Sequence, residues 1–332
     1  MKRIAHALIR VLGQPLATVI ERSLRFSARG VGVVVVYHRV GDPPGDPSVE
    51  LVPALATHLF EAQARHLGRH FHVVPASRLL GAIKERRRGE RFPAAITFDD
   101  DLHSHAEIAL PILRRLELPA VFFVSGTSLE EPFEYWWQSL QAVFDRGLEL
   151  PADLRASGGS VESPATIHGV GRRIEAMSPD ERDLVTSELE AIVGPPAPDG
   201  GLQAADVHAL VAAGFEIGFH TVRHDPLPSL DDEALARALR DGRDRLEEAI
   251  GSAVTTIAYP HGKADARVGD AARAAGYQFG FTGAAEPVRP DSDPLLLGRI
   301  NHSYRSVGHF ALQLLRALLR GNGAERREPF GR

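Results

Sequence analysis

Apolar residues in this chain fall into short unbroken runs rather than strict alternation. The runs are Val31–Tyr37 (VGVVVVY), Ala94–Phe98 (AAITF), Ala120–Val124 (AVFFV), Glu216–Phe219 (EIGF), Thr255–Ala258 (TTIA), Gln278–Thr282 (QFGFT) and Leu295–Ile300. Continuous apolarity over so few residues predicts parallel strands covered on both faces. Helical patterns lie between them. One spans 103–116, with Pro111 inside it as a flaw, and a second spans 203–213 and closes at Gly214. The clearest covers 231–250, with an acidic start, Leu235, Leu239, Leu246 and Ile250 on one side, and Gly251 as its stop. Strand–helix alternation of this kind predicts a parallel α/β architecture, and seven strands suggest a barrel, complete or not. In such a fold the chemistry sits where strands end and loops begin.

Residues 127–200 break the rhythm. EYWWQSLQAVFDRG is followed by a Gly/Ser/Pro-rich stretch, another helical piece and the linker-like PPAPDGG at 195–201. The expected organisation is therefore a basic amphipathic segment at 1–30 and a barrel at 31–305 carrying a mainly helical insertion at 127–200. A C-terminal helix and a mobile polar tail at 306–332 complete it. In the first segment Ile4, Leu8, Val11, Leu12, Leu16, Val19 and Ile20 recur at helical spacing, and Pro15 is expected to kink or split that helix. Packing against the domain is the favoured reading for it; the other is a basic helix lying on an anionic membrane surface.

Composition narrows the choices. The chain has 332 residues, 44% of them apolar, enough for a sizeable core. A net charge of −5 argues against a general nucleic-acid binder. The charge is uneven, because residues 1–30 carry six basic residues against the single acid Glu21. With no cysteine, a metal site must use histidine and carboxylate. No run reaches the ~18 apolar residues of a membrane span, and no signal-peptide pattern is read at the N-terminus. The expected location is the cytoplasm, with peripheral contact at the inner membrane face through the basic N-terminus.

Two stretches carry chemistry where the architecture wants it. Asp99-Asp100-Asp101 closes one strand, and His220-Thr221-Val222-Arg223-His224 follows another. On a helical turn, histidines four apart share a face and can grip one ion. Neighbouring carboxylates repel and resist ionisation when buried, unless a divalent cation lies between them. Two imidazoles and one carboxylate would leave a coordination position open for water. The plainer reading of the aspartates is capping of the next helix. His66 and His70 repeat the His-x3-His spacing within a helical pattern, where they are read as a solvated pair favouring the helix C-terminus. A glycosidase using two of the aspartates is disfavoured, since sequence neighbours rarely face each other across a scissile bond.

Thr97-Phe98-Asp99-Asp100, His220-Thr221-Val222-Arg223-His224 and Tyr259-Pro260-His261-Gly262, in this order, resemble the polysaccharide deacetylases. That family is also called the NodB-homology domain or carbohydrate esterase family four. Val36-Tyr37-His38-Arg39-Val40, AVFFVSG at 120–126 and Ala275-Gly276-Tyr277 extend the resemblance, which covers about residues 31–126 and 202–300. It implies a distorted (β/α)7 barrel and metal-dependent hydrolysis of acetyl groups, mostly those of N-acetylated sugars in polysaccharides, glycolipids or precursors. Carried over by position, Asp99 resembles the catalytic base, and Asp100, His220 and His224 the metal ligands. The backbone N–H of His261 falls where the family's turn donates to the oxyanion, with Tyr259 and Pro260 beside the substrate. Imidazole with carboxylate suits Zn2+, while admitting Co2+, Ni2+, Mn2+ or Fe2+. Tyr135, Trp136 and Trp137 are read as a sugar platform or, equally, as anchors of the insertion.

Three departures stand out. The family's Leu-His acid has no clean counterpart, leaving His302, His103, His105 and His38 as candidates. Asp101 replaces a glycine, which implies a narrower or altered site. The arginine that many members carry shortly before the Tyr-Pro turn is missing, since Thr255-Thr256-Ile257-Ala258 stands there. A non-catalytic carbohydrate-binding relative is accordingly the alternative to an enzyme.

Overall fold

The apolar runs form parallel strands, and their ends gather at one side of a single sheet. The computed structural model describes residues 2–129, 133–155, 166–196 and 201–320. The strands are β1 (Val33–Tyr37), β2 (His72–Val73), β3 (Pro93–Asp99), β4 (Val121–Val124), β5 (Glu216–Phe219), β6 (Thr256–Ala258), β7 (Phe279–Phe281) and β8 (Ile300–Asn301). Their order is β7-β6-β5-β4-β3-β1-β8, with β2 added beside β3, and every strand pair is parallel.

Closure comes from the segment leading into β8. Leu297 bridges Phe281 of β7, while Ile300 and Asn301 pair with Val35 and Val36 of β1. One stretch of chain thus joins the two ends of the sheet into a distorted (β/α)7 barrel. The run expected as a strand at 295–300 is mostly this irregular bridge, with its regular part confined to β8.

The helices are α1 (Lys2–Leu24), α2 (Thr57–His70), α3 (Leu79–Glu85), α4 (Leu110–Arg115), α5 (Trp136–Asp145), α6 (Ala152–Arg155) and α7 (Ile167–Glu175). They continue with α8 (Pro179–Val193), α9 (Ala204–Ala212), α10 (Asp232–Ala238), α11 (Arg243–Ile250), α12 (Ala266–Ala274) and α13 (Val307–Arg320). Helix α1 runs through Pro15 without splitting. The helix expected at 231–250 is two, α10 and α11, separated at Gly242. Gly242 has φ 83°, and a Cβ there would lie 2.4 Å from the Val222 side chain, in the loop after β5. That close approach breaks the helix, and local periodicity carries no trace of it. The segment expected as a helix at 103–116 starts as a π-helical turn at His105–Ala109 and continues as α4, which accepts Pro111 in its first turn.

Helices α5, α7 and α8 pack around Trp136, Leu140, Ile167, Ile174 and Leu189 as a small apolar cluster of their own. The expected mobile tail, most of the Gly/Ser/Pro-rich stretch and part of the 195–201 linker lie outside the described residues.

Helix α1 lies along α13, both running in the same direction. Gly13 meets Gly308, where a Cβ on Gly308 would stand 2.2 Å from the Ile9 carbonyl. Further along, Arg29 donates to the carbonyls of Leu318 and Leu319. Beneath α1, Glu21 faces His66 of α2 at 3.9 Å, with both side chains buried and no hydrogen-bond partner for either. The solvated reading of His66 is thereby corrected: helix α1 covers it. Burial pushes the Glu21 carboxyl up to about 8 and the His66 imidazole down to about 3, so both are held neutral. Folded Glu21 keeps a proton that the unfolded chain releases above 4.5, so stability falls as pH rises from there to about 8. His66 acts oppositely, since below 6.5 the unfolded chain takes up a proton that the folded one refuses, down to about 3. The two oppose each other up to 6.5 and leave a net loss from 6.5 to about 8. Glu21→Gln is expected to remove that loss, as read by urea unfolding across the pH range. An identical decline in the variant would contradict the buried neutral carboxyl.

Candidate active site

Three consecutive carboxylates close β3, and all three are buried. Each meets a different environment. Asp99 accepts from the Arg299 guanidinium at 2.6 Å. Asp100 carries Oδ1 3.4 Å from His220 Nε2 and 3.6 Å from His224 Nε2, and that oxygen has no hydrogen-bond partner. Asp101 turns the other way. It accepts from the Ser125 N–H at 2.6 Å, the Ser125 hydroxyl at 2.7 Å and the Ser128 hydroxyl at 3.0 Å. Its carbonyl receives the Leu202 N–H, where the chain returns from the insertion. Asp101 therefore ties two loops together and does not narrow the site. None of the three caps the following helical turn, so the capping expectation fails.

His220 and His224 lie on a loop, not on the helical turn that their spacing suggests. Their rings converge because the backbone bends sharply: Thr221 has φ 60° and His224 φ 51°. Asp100 (φ 74°) and His261 (φ 56°) are also left-handed. Four of the five such non-glycine residues among the described residues therefore cluster here. Strain concentrated in this way is held only where surrounding contacts over-determine the backbone. The His220 Nδ1–H donates to the Ala258 carbonyl at 2.8 Å, which leaves Nε2 directed at Asp100.

One Asp100 oxygen and one ring nitrogen each of His220 and His224 all lie within 4.8 Å of one another. An unpaired buried carboxylate oxygen between two imidazole nitrogens is costly as it stands and suits a divalent cation of the zinc class. Burial, then His261 and His220, press His224 well below its ordinary range, so its imidazole is neutral as ligation requires. His220 is raised, because Asp99 and Asp100 outweigh its burial.

The arginine that seemed missing comes from the closing segment instead. Arg299 is buried, donates from Nε to the Thr282 carbonyl at 3.1 Å, and reaches Asp99 across the barrel interior. Burial alone would raise the Asp99 carboxyl; Arg299, with His220 beside it, overrides this and holds it down to about 2. The available signal was a single arginine inside LLLGRI, since a charge embedded in an apolar run must find a partner.

These groups open into a cavity of about 340 Å3 that Asp99, Asp100, His220, His224, Arg299 and His38 all line. The four acid candidates now separate. His38 lines this cavity, with Nε2 3.9 Å from Asp99 Oδ2. His302 stacks on Tyr37 and donates to the Val36 carbonyl. His105 is packed against Phe98 and Phe122 in the core, and His103 pairs with Glu107 and Asp206. None of these three reaches the cavity.

Trp136 and Trp137 form part of the cavity wall and are buried. Trp137 stacks on Tyr135 at 4.1 Å and leans on the His224 ring at 4.7 Å, so the aromatic cluster both anchors the insertion and walls the site. His261 lines the cavity, and its ring lies 3.6 Å from Glu175 at the end of α7. Tyr259 and Pro260, expected beside substrate, do not line it; the Tyr259 hydroxyl donates to the Leu295 carbonyl in the core. A second tie that the sequence did not reveal joins Arg182 of α8 to Asp225, next to His224, in a buried ion pair.

The family model described as polysaccharide deacetylase matches residues 86–152 and 161–280, more than half of the chain. Asp99, Asp100, His220, His224 and His261 fall inside the match, and His38 and Arg299 outside it. Among solved structures, the Streptococcus pyogenes deacetylase PplD, in complex with acetate, is similar with a TM-score of 0.59 at 15% identity, covering 87% of this chain and 99% of that one. A polysaccharide deacetylase from Bacillus cereus gives 0.54 at 19% identity, covering 86% of this chain and 69% of that one. IcaB from Ammonifex degensii gives 0.52 at 19%, covering 85% and 97%. At these identities the likeness is one of fold. No curated protein matches the sequence. From the match over most of the barrel and the loops at its catalytic end, the chain belongs to the polysaccharide deacetylase family.

Proposed function

We propose that the protein removes an acetyl group from an N-acetylated sugar of a polysaccharide, glycolipid or glycan precursor. A divalent cation, best suited by zinc, would be held by Asp100, His220 and His224. The observation that carries this reading is the partnerless Asp100 oxygen between two imidazoles at the base of the cavity. Such an ion supplies Lewis acidity, activating water and polarising the amide carbonyl.

The chain's own residues do the rest. Asp99, kept ionised by Arg299, accepts the proton of the attacking water. Among the described residues the His261 backbone N–H has no backbone acceptor, and it would donate to the developing oxyanion. Expulsion of the amine requires a proton at nitrogen, and His38, which lines the cavity beside Asp99, is the histidine we assign to supply it. Trp136 and Trp137, in the cavity wall, would meet the apolar face of a sugar ring. The non-catalytic alternative drew its force from the absence of an acid, and the place of His38 in the cavity beside Asp99 speaks against it.

Release of acetate from chito-oligosaccharides is expected to cease with chelator and return with zinc. Asp100→Ala and His220→Ala should lose both metal and turnover. Asp99→Asn and His38→Gln should keep the metal while slowing turnover by about 10²–10⁴-fold, and His302→Gln should stay near wild type. Full metal content in the Asp100 and His220 variants would overturn the proposal. Arg299→Ala leaves a buried carboxylate unpaired, and is expected to cost about 3–5 kcal/mol of stability in chelator-treated protein. A loss near zero in urea unfolding would show that Asp99 does not depend on it.

A further inference from the structure

Helix α1 turns one face to α13 and leaves the other bare. Gly13, Ala17 and Glu21 are buried, whereas Leu8, Val11, Leu12, Leu16 and Val19 are each more than half exposed, from 53% at Leu8 to 71% at Val11. At 100° per residue these five fall on a single stripe that ends at Arg22. Phe26, just after α1, and Leu319, at the end of α13, are also exposed. Five large aliphatic side chains in one exposed row are more than scattered surface hydrophobics.

A second, independent feature adjoins the Arg22 end. A cavity of about 790 Å3, separate from the catalytic one, is lined by Arg25, Arg65, Arg69 and Arg91, with the carboxylates Glu90 and Glu117 also in its wall. Arg65 is matched by Glu61. Arg25 and Arg91 instead spend hydrogen bonds on the carbonyls of His70, Gly68 and Phe71 at the end of α2, and Arg25 Nε is buried without a partner. Burial, and then the charges of Arg22, Arg25, Arg69 and Arg91, lower the His70 imidazole, a sign of four cations gathered around one side chain. This concentration occurs in a chain whose net charge is −5.

We propose that this flank, the stripe Leu8–Val19 together with the arginines around His70, docks on an anionic lipid bilayer. An amphipathic helix inserts its apolar face about 5–10 Å, to the level of the acyl boundary. At that depth the arginines at its end meet phosphate headgroups, whose negative surface potential attracts them. The surface is distinct from the catalytic cavity, so the proposal stands whatever the substrate is.

The test is co-sedimentation of the full chain with phosphatidylglycerol vesicles and, in parallel, with phosphatidylcholine vesicles. Binding is expected to the first and not the second, weakening as salt rises. Val11→Asp with Leu16→Asp should abolish it while circular dichroism and the melting temperature stay as in wild type, because both positions are exposed. Arg22→Glu should weaken partitioning by about tenfold or more. Failure to bind phosphatidylglycerol, equal binding to phosphatidylcholine, or unaltered binding by the double variant would each overturn the proposal. So would a wild-type dimer that the double variant converts to monomer without any vesicle binding, since a second copy would then be the occupant.

Discussion

Three neighbouring carboxylates buried at the end of β3 are the constraint around which the rest of the molecule is arranged. Leaving any one of them ionised and unpaired would cost several kcal/mol, comparable to a large share of a domain's net stability. A guanidinium answers Asp99 and a backbone amide with two hydroxyls answers Asp101, while Asp100 faces two imidazoles with one oxygen left unpaired. These partners come from the bridge before β8, the loop after β5 and the loop after β4. The strand order β5-β4-β3-β1-β8 brings those three places to the end of β3.

Arg299 illustrates the coupling. It sits within the irregular stretch that bridges β7 and β1, between the Leu297 contact and the β8 pairing. A regular strand there would alternate residues in and out of the barrel. The bridge instead directs one long cation across the interior to Asp99 while its Nε stays tied to Thr282. The insertion contributes to the same region from the other side. Arg182 holds Asp225 beside His224, and Trp137 leans on the His224 ring, so helices outside the barrel rhythm brace its most strained loop.

What could be read in advance follows from where the information resides. Strand β5 coincides with its expected bounds, because EIGF is apolar, short and set off by Gly214 and His220. The pairing of TFDD with a distant His-x3-His was legible because each motif is local. The helical reading of His220 and His224 was not right, since left-handed backbone at Thr221 and His224, not helical spacing, brings the rings together. The break between α10 and α11 was hidden for a related reason: it depends on Val222 lying against Gly242, a contact with no sequence signature. His38, in the Val36–Val40 stretch, was among the acid candidates, whereas the pairing of Arg299 with Asp99 had no local motif to announce it.

The central claim is that two imidazoles and one carboxylate hold a single cation beside an arginine-clamped aspartate. X-ray absorption spectroscopy of the purified protein loaded with one equivalent of zinc tests it most directly. The account predicts one ion per chain, with two imidazole nitrogens at about 2.0–2.1 Å and oxygen completing the shell. An ion bound without imidazole, or no stoichiometric binding at all, would contradict it.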